Sequence, residues 1–197
     1  MGIADQSVLD AIMAVPRHFF LSSAFLEFAY DNKAFQIGAG QTISQPYTVA
    51  RQTELLGVER RMKILEIGTG SGYQTCVLCQ LGAKVFSIER QKLLYDKTGP
   101  LIQQLGFKPK LFFGDGYKGK KAYAPFDRII VTCGAPYIPE ELLFQLAEGG
   151  KMIIPLGVGR IQTMTEIVRM GPKEFGKQEH GEYAFVPMLQ KRNRTDA

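Results

Sequence analysis

Short apolar runs alternate with helical spacing through the middle of the chain. The apolar runs at 63–67, 83–88, 110–113, 128–132 and 151–155 predict strands, and helical patterns occupy 73–81, 91–105 and 139–147 between them. Strands separated by helices at this pitch form a parallel sheet with helices on both faces. The pattern therefore predicts an α/β fold with a mostly parallel, doubly wound sheet.

The N-terminal part has a different, mainly helical pattern. Asp5 is a suitable N-cap for a first helix, and a second short helix is expected over 22–30. A third helix is expected to begin at Pro46 and to end at Gly57. We therefore expect helices joined by a loop in this part of the chain.

Beyond Gly157 the helical patterns stop. The segments 162–170 and 182–189 have strand character and are separated by a polar stretch without a helix. Two consecutive strands without a crossover helix pair antiparallel. We therefore expect an antiparallel C-terminal edge on the sheet.

The stretch 63–73, with the sequence KILEIGTGSGY, carries the clearest functional signal. Gly68, Gly70 and Gly72 follow a buried strand and precede a helix, so the backbone can turn sharply and a ligand can approach the main chain. Glu89 ends the next apolar run, and an acid about twenty residues beyond a glycine-rich turn commonly accepts the hydroxyls of a ribose. This order predicts a nucleoside-containing cofactor. The alternative is a loop that only turns the chain.

The glycine spacing separates two classes of cofactor. Dinucleotide folds use Gly-x-Gly-x-x-Gly, whereas this loop is Gly-x-Gly-x-Gly and has Glu66 two residues before its first glycine. An acid beside the loop suits a ligand with an ammonium and a sulfonium, and it suits a pyrophosphate badly. The loop resembles that of class I S-adenosylmethionine-dependent methyltransferases.

Further polar residues are expected at the same edge of the sheet. Asp115, between Gly114 and Gly116, follows the third core strand, and Thr132 ends the fourth. Ligands of such sheets bind at the carboxyl ends of the strands. We therefore expect Asp115 to contact the adenine or ribose side of the cofactor, although a plain turn would have the same sequence.

The segment 37–47 is polar and rich in hydroxyl groups. Ser44 or Gln45 can cap the helix that Pro46 opens. From the local sequence alone, Ser44 is better explained as an N-cap than as a functional residue.

Composition and charge exclude several classes. Of 197 residues, 45% are hydrophobic, but no apolar run is long enough to span a bilayer and no signal peptide is apparent, so a cytoplasmic protein is expected. The net charge is +5, of which the last seven residues contribute +2, so nucleic-acid binding is not indicated.

The cysteine and histidine content argues against disulfide and metal chemistry. The three cysteines are an odd number, and Cys76-x-x-Cys79 lies inside a predicted helix, where two buried thiols are a better explanation than a redox or zinc site. Only two histidines are present, and we predict no metal site.

Several stretches together resemble the protein-L-isoaspartate O-methyltransferase family. The glycine loop is common to many methyltransferases, whereas the segment 40–47 is specific to this family and carries the assignment. The matching stretches are 15–19, 40–47, 65–73, 87–90, 114–116, 124–127 and 185–187.

The resemblance implies an activity and the residues that perform it. The family transfers a methyl group from S-adenosylmethionine to the α-carboxyl of L-isoaspartyl residues in damaged proteins, with S-adenosylhomocysteine as the second product. It implies Ser44 as the active-site serine with Thr42 beside it, and a late strand around Val186 is expected to complete the substrate pocket and to offer free backbone groups to a peptide. The expected cofactor-binding residues are Glu66, Gly68, Thr69, Gly70, Ser71, Glu89, Asp115 and Gly116.

The resemblance also implies an organisation and partners. We expect one methyltransferase domain over 1–197, with a helical and substrate-loop segment at 1–60, a cofactor-binding core at 61–157, and C-terminal strands with a basic tail at 158–197. The last two strands are expected to change order relative to other methyltransferases. We expect a monomer that binds isoaspartyl proteins, without nucleic acid or membrane.

Two alternatives remain open from the sequence. A nucleic-acid methyltransferase could share the fold, although 132–136 lacks the acid or asparagine and the paired prolines used to methylate exocyclic amines. A non-catalytic relative could bind cofactor or damaged protein without turnover.

Overall fold

The computed structural model describes residues 2–194 and contains nine strands within them. A separate hairpin is formed by the first two, and the other seven form the central sheet. The strands are β1 (Phe35–Gly38), β2 (Gln41–Ile43), β3 (Lys63–Ile67), β4 (Lys84–Glu89), β5 (Lys110–Phe113), β6 (Phe126–Val131), β7 (Leu146–Leu156), β8 (Gln162–Arg169) and β9 (Phe175–Tyr183).

The central sheet has the strand order β5-β4-β3-β6-β7-β8-β9. Every pair from β5 to β7 is parallel, and the pairs β7–β8 and β8–β9 are antiparallel. The last three strands thus follow one another across the sheet in chain order. The predicted fold class, a mostly parallel sheet with an antiparallel C-terminal edge, is confirmed.

Five α-helices occupy the described chain, and they cover both faces of the sheet. Strand side chains alternate between faces, so Ile64 and Ile130 pack with Leu56 of the second helix, whereas Leu65 and Ile129 pack with Leu142 of the fifth. All of these side chains are fully buried. The helices are α1 (Gln6–Ala14), α2 (Pro46–Leu56), α3 (Tyr73–Gln80), α4 (Lys92–Gln104) and α5 (Glu140–Leu143).

The ends of the N-terminal helices follow the local sequence. The Asp5 carboxylate accepts hydrogen bonds from the backbone N–H groups of Ser7 and Val8 and so caps α1. Gly57 ends α2 in the left-handed conformation, with φ of 61°. The short helix expected over 22–30 is a 3₁₀ helix at Ser23–Phe28. The hairpin β1–β2 was not predicted.

The helix predicted over 139–147 is wrong in its second half. The α-helix ends at Leu143, and Leu146 already pairs with Phe126 in the sheet. Leu142 and Leu146 have helical spacing, but both are fully buried because they fill the core from different elements. Between them, the Gln145 side chain accepts from the N–H of Lys120 and donates to the carbonyl of Lys118.

The strand predicted over 182–189 is also wrong. The last strand is β9, which ends at Tyr183, because an edge strand can carry the exposed polar residues 177–179. The following segment leaves the sheet edge and runs beside Gly134, which donates to the Val186 carbonyl at 2.8 Å and accepts from the Met188 N–H at 2.7 Å. This course brings the C-terminal segment over the carboxyl ends of the strands.

Within residues 2–194, none of the helices combines the length and the apolar character that a bilayer crossing requires.

Candidate active site

The glycine loop connects β3 to α3 in a tight turn. Gly68 has φ of 97° and Gly72 has φ of 86°, which side chains rarely allow. A Cβ atom at Gly68 would lie 2.6 Å from the Thr132 hydroxyl oxygen, and one at Gly72 would lie 2.7 Å from a Thr98 methyl carbon. The loop therefore packs against its neighbours with room for hydrogen only.

Glu89 joins the end of β4 to this loop. One carboxylate oxygen accepts from the Gly70 N–H at 2.8 Å, and the other accepts from the Gln91 N–H at 2.7 Å. The side chain is 4% exposed, and burial raises the pKa of the carboxyl group. The backbone donors thus fix the carboxylate at the carboxyl edge of the sheet.

A cleft of about 540 Å³ opens over this edge. The glycine loop and Glu89 form its polar side, and Ile67, Ile88 and Met188 form apolar walls. The lining residues are Gln41, Thr42, Ile67, Gly68, Gly70, Ile88, Glu89, Arg90, Gly116, Thr132, Cys133 and 186–189.

A second cavity, hereafter the Ser44 pocket, adjoins the cleft. It has a volume of about 360 Å³, and it shares Thr42, Gly68, Gly70 and Thr132 with the cleft. A group bound in the pocket therefore lies beside a group bound in the cleft. The lining residues are 42–44, Val49, Gln52, 68–71, Tyr73, Gln74 and Thr132.

Ser44 is not a helix cap. Gln45 occupies the N-cap position of α2, and no side chain caps that helix. The Ser44 hydroxyl makes no hydrogen bond to any other part of the described chain, and the residue lines the pocket. The explanation favoured by the local sequence is therefore wrong, and the hydroxyl is left available to a ligand.

Eight other predicted site residues also line one or both cavities: Thr42, Val186, Gly68, Thr69, Gly70, Ser71, Glu89 and Gly116. Their contacts with cofactor or substrate stay a prediction. Val186, however, does not belong to an edge strand with free backbone groups. Its carbonyl already accepts from Gly134. The expected main-chain pairing with a peptide at this carbonyl is therefore not supported.

Glu66 lies behind the loop instead of in the cleft. Its side chain is fully buried and accepts a hydrogen bond from the Thr75 hydroxyl at 2.5 Å. Burial raises the pKa of the carboxyl group to about 7. The expectation of a direct cofactor contact is not supported by this position, because Glu66 lines neither cavity.

Asp115 also differs from the expectation. One carboxylate oxygen accepts from the Tyr117 N–H at 3.0 Å, and the other accepts from the Lys191 N–H at 2.8 Å. The residue lines a basic cleft that also contains Lys120 and Arg192 and that adjoins the cofactor cleft at Ile88. The cofactor cleft itself is lined by the neighbouring Gly116. Asp115 therefore anchors the C-terminal segment in this structure.

Several lining residues were not singled out as site residues, among them Gln41, Gln74, Arg90 and Cys133. Gln41 and Arg90 adjoin predicted positions, so the sequence offered a signal for them. Gln74 gave only the weak signal of a polar residue near a helix start. Cys133 lies on the cleft wall, where burial raises the pKa of its thiol to about 12 and keeps it protonated at neutral pH. This protonation argues against a nucleophilic cysteine.

These features define a Rossmann-like protein of the methyltransferase class. They are the mostly parallel sheet, the glycine loop after its central strand β3, the acid at the end of β4, and the cleft over the strand ends. Comparisons with known proteins are more specific. The profile of the family described as protein-L-isoaspartate(D-aspartate) O-methyltransferase matches residues 1–193. The chain therefore belongs to the protein-L-isoaspartate(D-aspartate) O-methyltransferase family.

Individual relatives agree with this assignment. The protein-L-isoaspartate O-methyltransferase of Christiangramia forsetii is 58% identical over 193 residues, which cover 98% of this chain and 90% of the relative. That of Flavobacterium johnsoniae has the same identity and coverage. A Plasmodium falciparum protein-L-isoaspartate O-methyltransferase, solved in complex with S-adenosyl-L-homocysteine, superimposes with a TM-score of 0.83 at 26% identity and covers 95% of this chain and 92% of its own.

Proposed function

We propose that this protein transfers a methyl group from S-adenosylmethionine to the α-carboxyl of L-isoaspartyl residues in damaged proteins. The resulting ester closes to a succinimide, which reopens partly to normal aspartate. Family membership supplies the reaction. The observation that carries the proposal for this chain is that the cofactor cleft and the Ser44 pocket share one wall, made of Thr42, Gly68, Gly70 and Thr132.

The residues of the cleft fit S-adenosylmethionine. Glu89 presents a fixed carboxylate that suits a ribose diol, and Ile88 and Met188 form apolar walls that suit an adenine ring. Gly68 and Gly70 bring bare backbone to the end of the cleft that meets the Ser44 pocket. S-adenosylmethionine, when bound, supplies an electrophilic methyl group on a sulfonium.

The protein's own residues have to position the acceptor and exclude water. An isoaspartyl α-carboxyl is already ionised at neutral pH, so no general base is needed. Ser44 is assigned to donate a hydrogen bond that orients this carboxylate, and Thr42, on the shared wall, is assigned to its other side. Val186, on the cleft wall, is assigned to cover the site from the C-terminal segment. Catalysis then rests on alignment of the reacting groups and exclusion of water.

Thr69, Ser71 and Gly116 are also assigned to the cofactor, because they line the cavities beside it. Glu66 and Asp115 are assigned indirect roles: Glu66 supports the glycine loop, and Asp115 holds the C-terminal segment.

The free state of all three cysteines supports a reducing, cytoplasmic location as a proposal. A monomeric state, the absence of nucleic acid from the reaction, and the single-domain organisation also remain predictions.

The test offers the protein two peptides of identical composition together with S-adenosylmethionine. One peptide contains L-isoaspartate, and the other contains L-aspartate at the same position. We expect labelled methyl on the isoaspartyl peptide and essentially none on the aspartyl peptide. Equal labelling of both would contradict the proposal, and so would labelling of neither when calorimetry shows that S-adenosylhomocysteine is bound.

A further inference from the structure

Gln74 lies in the Ser44 pocket with one polar atom unused. It is the second residue of α3 and is 7% exposed. Its Nε2 group donates to the Thr53 hydroxyl oxygen at 2.9 Å. Its Oε1 atom is buried and accepts no hydrogen bond from any residue in 2–194. Buried acceptors are rarely left without a hydrogen-bond donor, so a donor is expected for this oxygen.

The surrounding hydrogen bonds fix which end of the amide is free. The Thr53 hydroxyl donates its single hydrogen to the Val49 carbonyl at 2.8 Å, so its oxygen can only accept from Gln74. Thr53 is fully buried, and water offers it no alternative partner. The amide nitrogen of Gln74 must therefore face Thr53, and the oxygen is the end without a partner.

We infer that Gln74 Oε1 accepts a hydrogen bond from the amide N–H of the isoaspartyl residue whose carboxylate lies at Ser44. This inference rests on the proposed function and assigns a specificity residue to it. Both side chains line the same small pocket, and that pocket is continuous with the cofactor cleft along Gly68 and Gly70. The bound isoaspartyl residue has one acceptor, its carboxylate, and one donor, its amide N–H. Both groups need hydrogen-bond partners in the Ser44 pocket.

The covalent structure of the substrate explains how this pair could select it. In L-isoaspartate the amide nitrogen and the free carboxyl group are bonded to the same carbon. In L-aspartate the free carboxyl group is one carbon farther from that nitrogen. A pocket that holds the carboxylate at Ser44 and the N–H at Gln74 is therefore selective for the distance between the amide nitrogen and the free carboxyl group. A substrate that misplaces either group leaves a buried polar atom unpaired, which is an effective basis for discrimination.

The experiment compares an isoaspartyl peptide with its ester analogue, in which an oxygen atom replaces that N–H. We expect the wild-type protein to prefer the amide peptide by on the order of tenfold in kcat/KM, because the ester has no donor for Gln74. Gln74→Met should lose this advantage and use both peptides equally. Gln74→Glu keeps an acceptor oxygen, so it should retain the preference while both peptides bind more weakly through repulsion between carboxylates.

Binding measurements separate this role from a structural one. Calorimetry of each peptide with the S-adenosylhomocysteine complex should show the same amide preference in the wild type and its loss in Gln74→Met. The affinity for S-adenosylhomocysteine should be unchanged, because Gln74 does not line the cofactor cleft. If Gln74→Met fails to fold, Thr53→Val releases the amide without altering Gln74 and should reduce the preference several-fold, whereas Thr53→Ser should preserve it.

Three results would overturn the inference: equal use of the two peptides by the wild type, an unchanged preference in Gln74→Met, or a loss of cofactor affinity in that variant. If the wild type binds S-adenosylhomocysteine but methylates neither peptide, the proposed function fails and the inference fails with it. If only the amide preference is missing, the proposed function stands.

Discussion

The Glu89 carboxylate accepts a hydrogen bond from the Gly70 N–H at 2.8 Å, which ties the end of β4 to the glycine loop. The same carboxylate forms part of the cleft wall, so one side chain both shapes the loop and faces the proposed ribose position. Loop geometry and cofactor affinity should therefore change together when Glu89 is altered.

Glu89→Gln should weaken S-adenosylhomocysteine binding by about five- to 150-fold, as expected for a lost charged hydrogen bond of about 1–3 kcal/mol. Glutamine can accept from only one of Gly70 and Gln91, and its NH₂ group would face the other backbone N–H. Isothermal titration measures the effect, with Glu148→Gln on an exposed position as the control. Wild-type affinity in Glu89→Gln would show that the cofactor is placed incorrectly.

Ser44→Ala should lower methyl transfer to an isoaspartyl peptide without lowering stability. The hydroxyl caps no helix, so its removal should change the free energy of unfolding by less than about 0.5 kcal/mol. Asp5→Ala provides the opposite case, because Asp5 does cap α1 and its loss should cost about 1 kcal/mol while activity is retained. Urea unfolding and a methyl-transfer assay on both variants give the comparison. A stability loss in Ser44→Ala with full activity would restore the capping explanation.

Glu66 should make the protein less stable as the pH rises from about 4.5 to 7. Burial raises the folded-state pKa from the ordinary 4.5 to about 7, so in this window the unfolded state releases the proton and the folded state keeps it. The stabilisation from the raised pKa is complete below pH 4.5 and is lost progressively up to pH 7, with a total of about 3 kcal/mol.

Glu66→Gln carries no titrating proton and should lack this part of the pH dependence. Its free energy of unfolding, measured between pH 4.5 and 8, should decline less than that of the wild type, so the variant should compare most favourably with the wild type at pH 8. Burial raises the pKa of Glu89 as well, which gives a slope of the same sign in both proteins. The difference between the two profiles therefore reports Glu66 together with its coulombic coupling to Glu89. Parallel profiles would mean that Glu66 titrates normally.

The sequence predicted the parts of the fold that depend on local patterns. The glycine loop and Glu89 were recognisable because strand, loop, helix and acid follow one another within 63–89. The boundary between α5 and β7 was missed because Leu142 and Leu146 have helical spacing but serve different elements. The last strand was missed because a polar edge strand resembles a loop.

The remaining features of the site depend on contacts between distant residues. The Gln74 oxygen is free because the Gln74 amide nitrogen donates to Thr53, whose hydroxyl in turn donates to the Val49 carbonyl. Thr53 and Val49 lie on α2, whereas Gln74 lies on α3. The partner of Asp115 is the backbone of Lys191, 76 residues later. No periodicity or motif within a short window contains this information.

The C-terminal strap, residues 189–194, gives the last prediction. Its first residue, Leu189, lines the cofactor cleft. Asp115 accepts from the Lys191 N–H at 2.8 Å, and the Arg90 guanidinium donates to the Lys191 carbonyl at 2.8 Å. Asn193 donates to the Arg90 carbonyl at 2.8 Å. The strap is thus held against the wall of the cleft by residues from two strand ends.

Asp115→Ala should therefore act through the strap. Trypsin cleavage after Lys191 or Arg192 should become faster by roughly fivefold or more, because local opening exposes the chain to the protease. S-adenosylhomocysteine should slow the same cleavage in the wild-type protein, since Arg90 and Leu189 wall its site. Mass spectrometry of the fragments over time measures both effects. Asp10→Ala, at an exposed position on α1, is the matched control.

Arg90→Met distinguishes the strap from a direct cofactor contact by Asp115. It removes the bond to the Lys191 carbonyl but leaves the Asp115 carboxylate in place. If Asp115 acts through the strap, both variants should show faster cleavage and a similar loss of S-adenosylhomocysteine affinity. If Asp115→Ala weakens cofactor binding while cleavage stays at the wild-type rate, Asp115 contacts the cofactor itself, as the sequence predicted, and the strap has no part in binding.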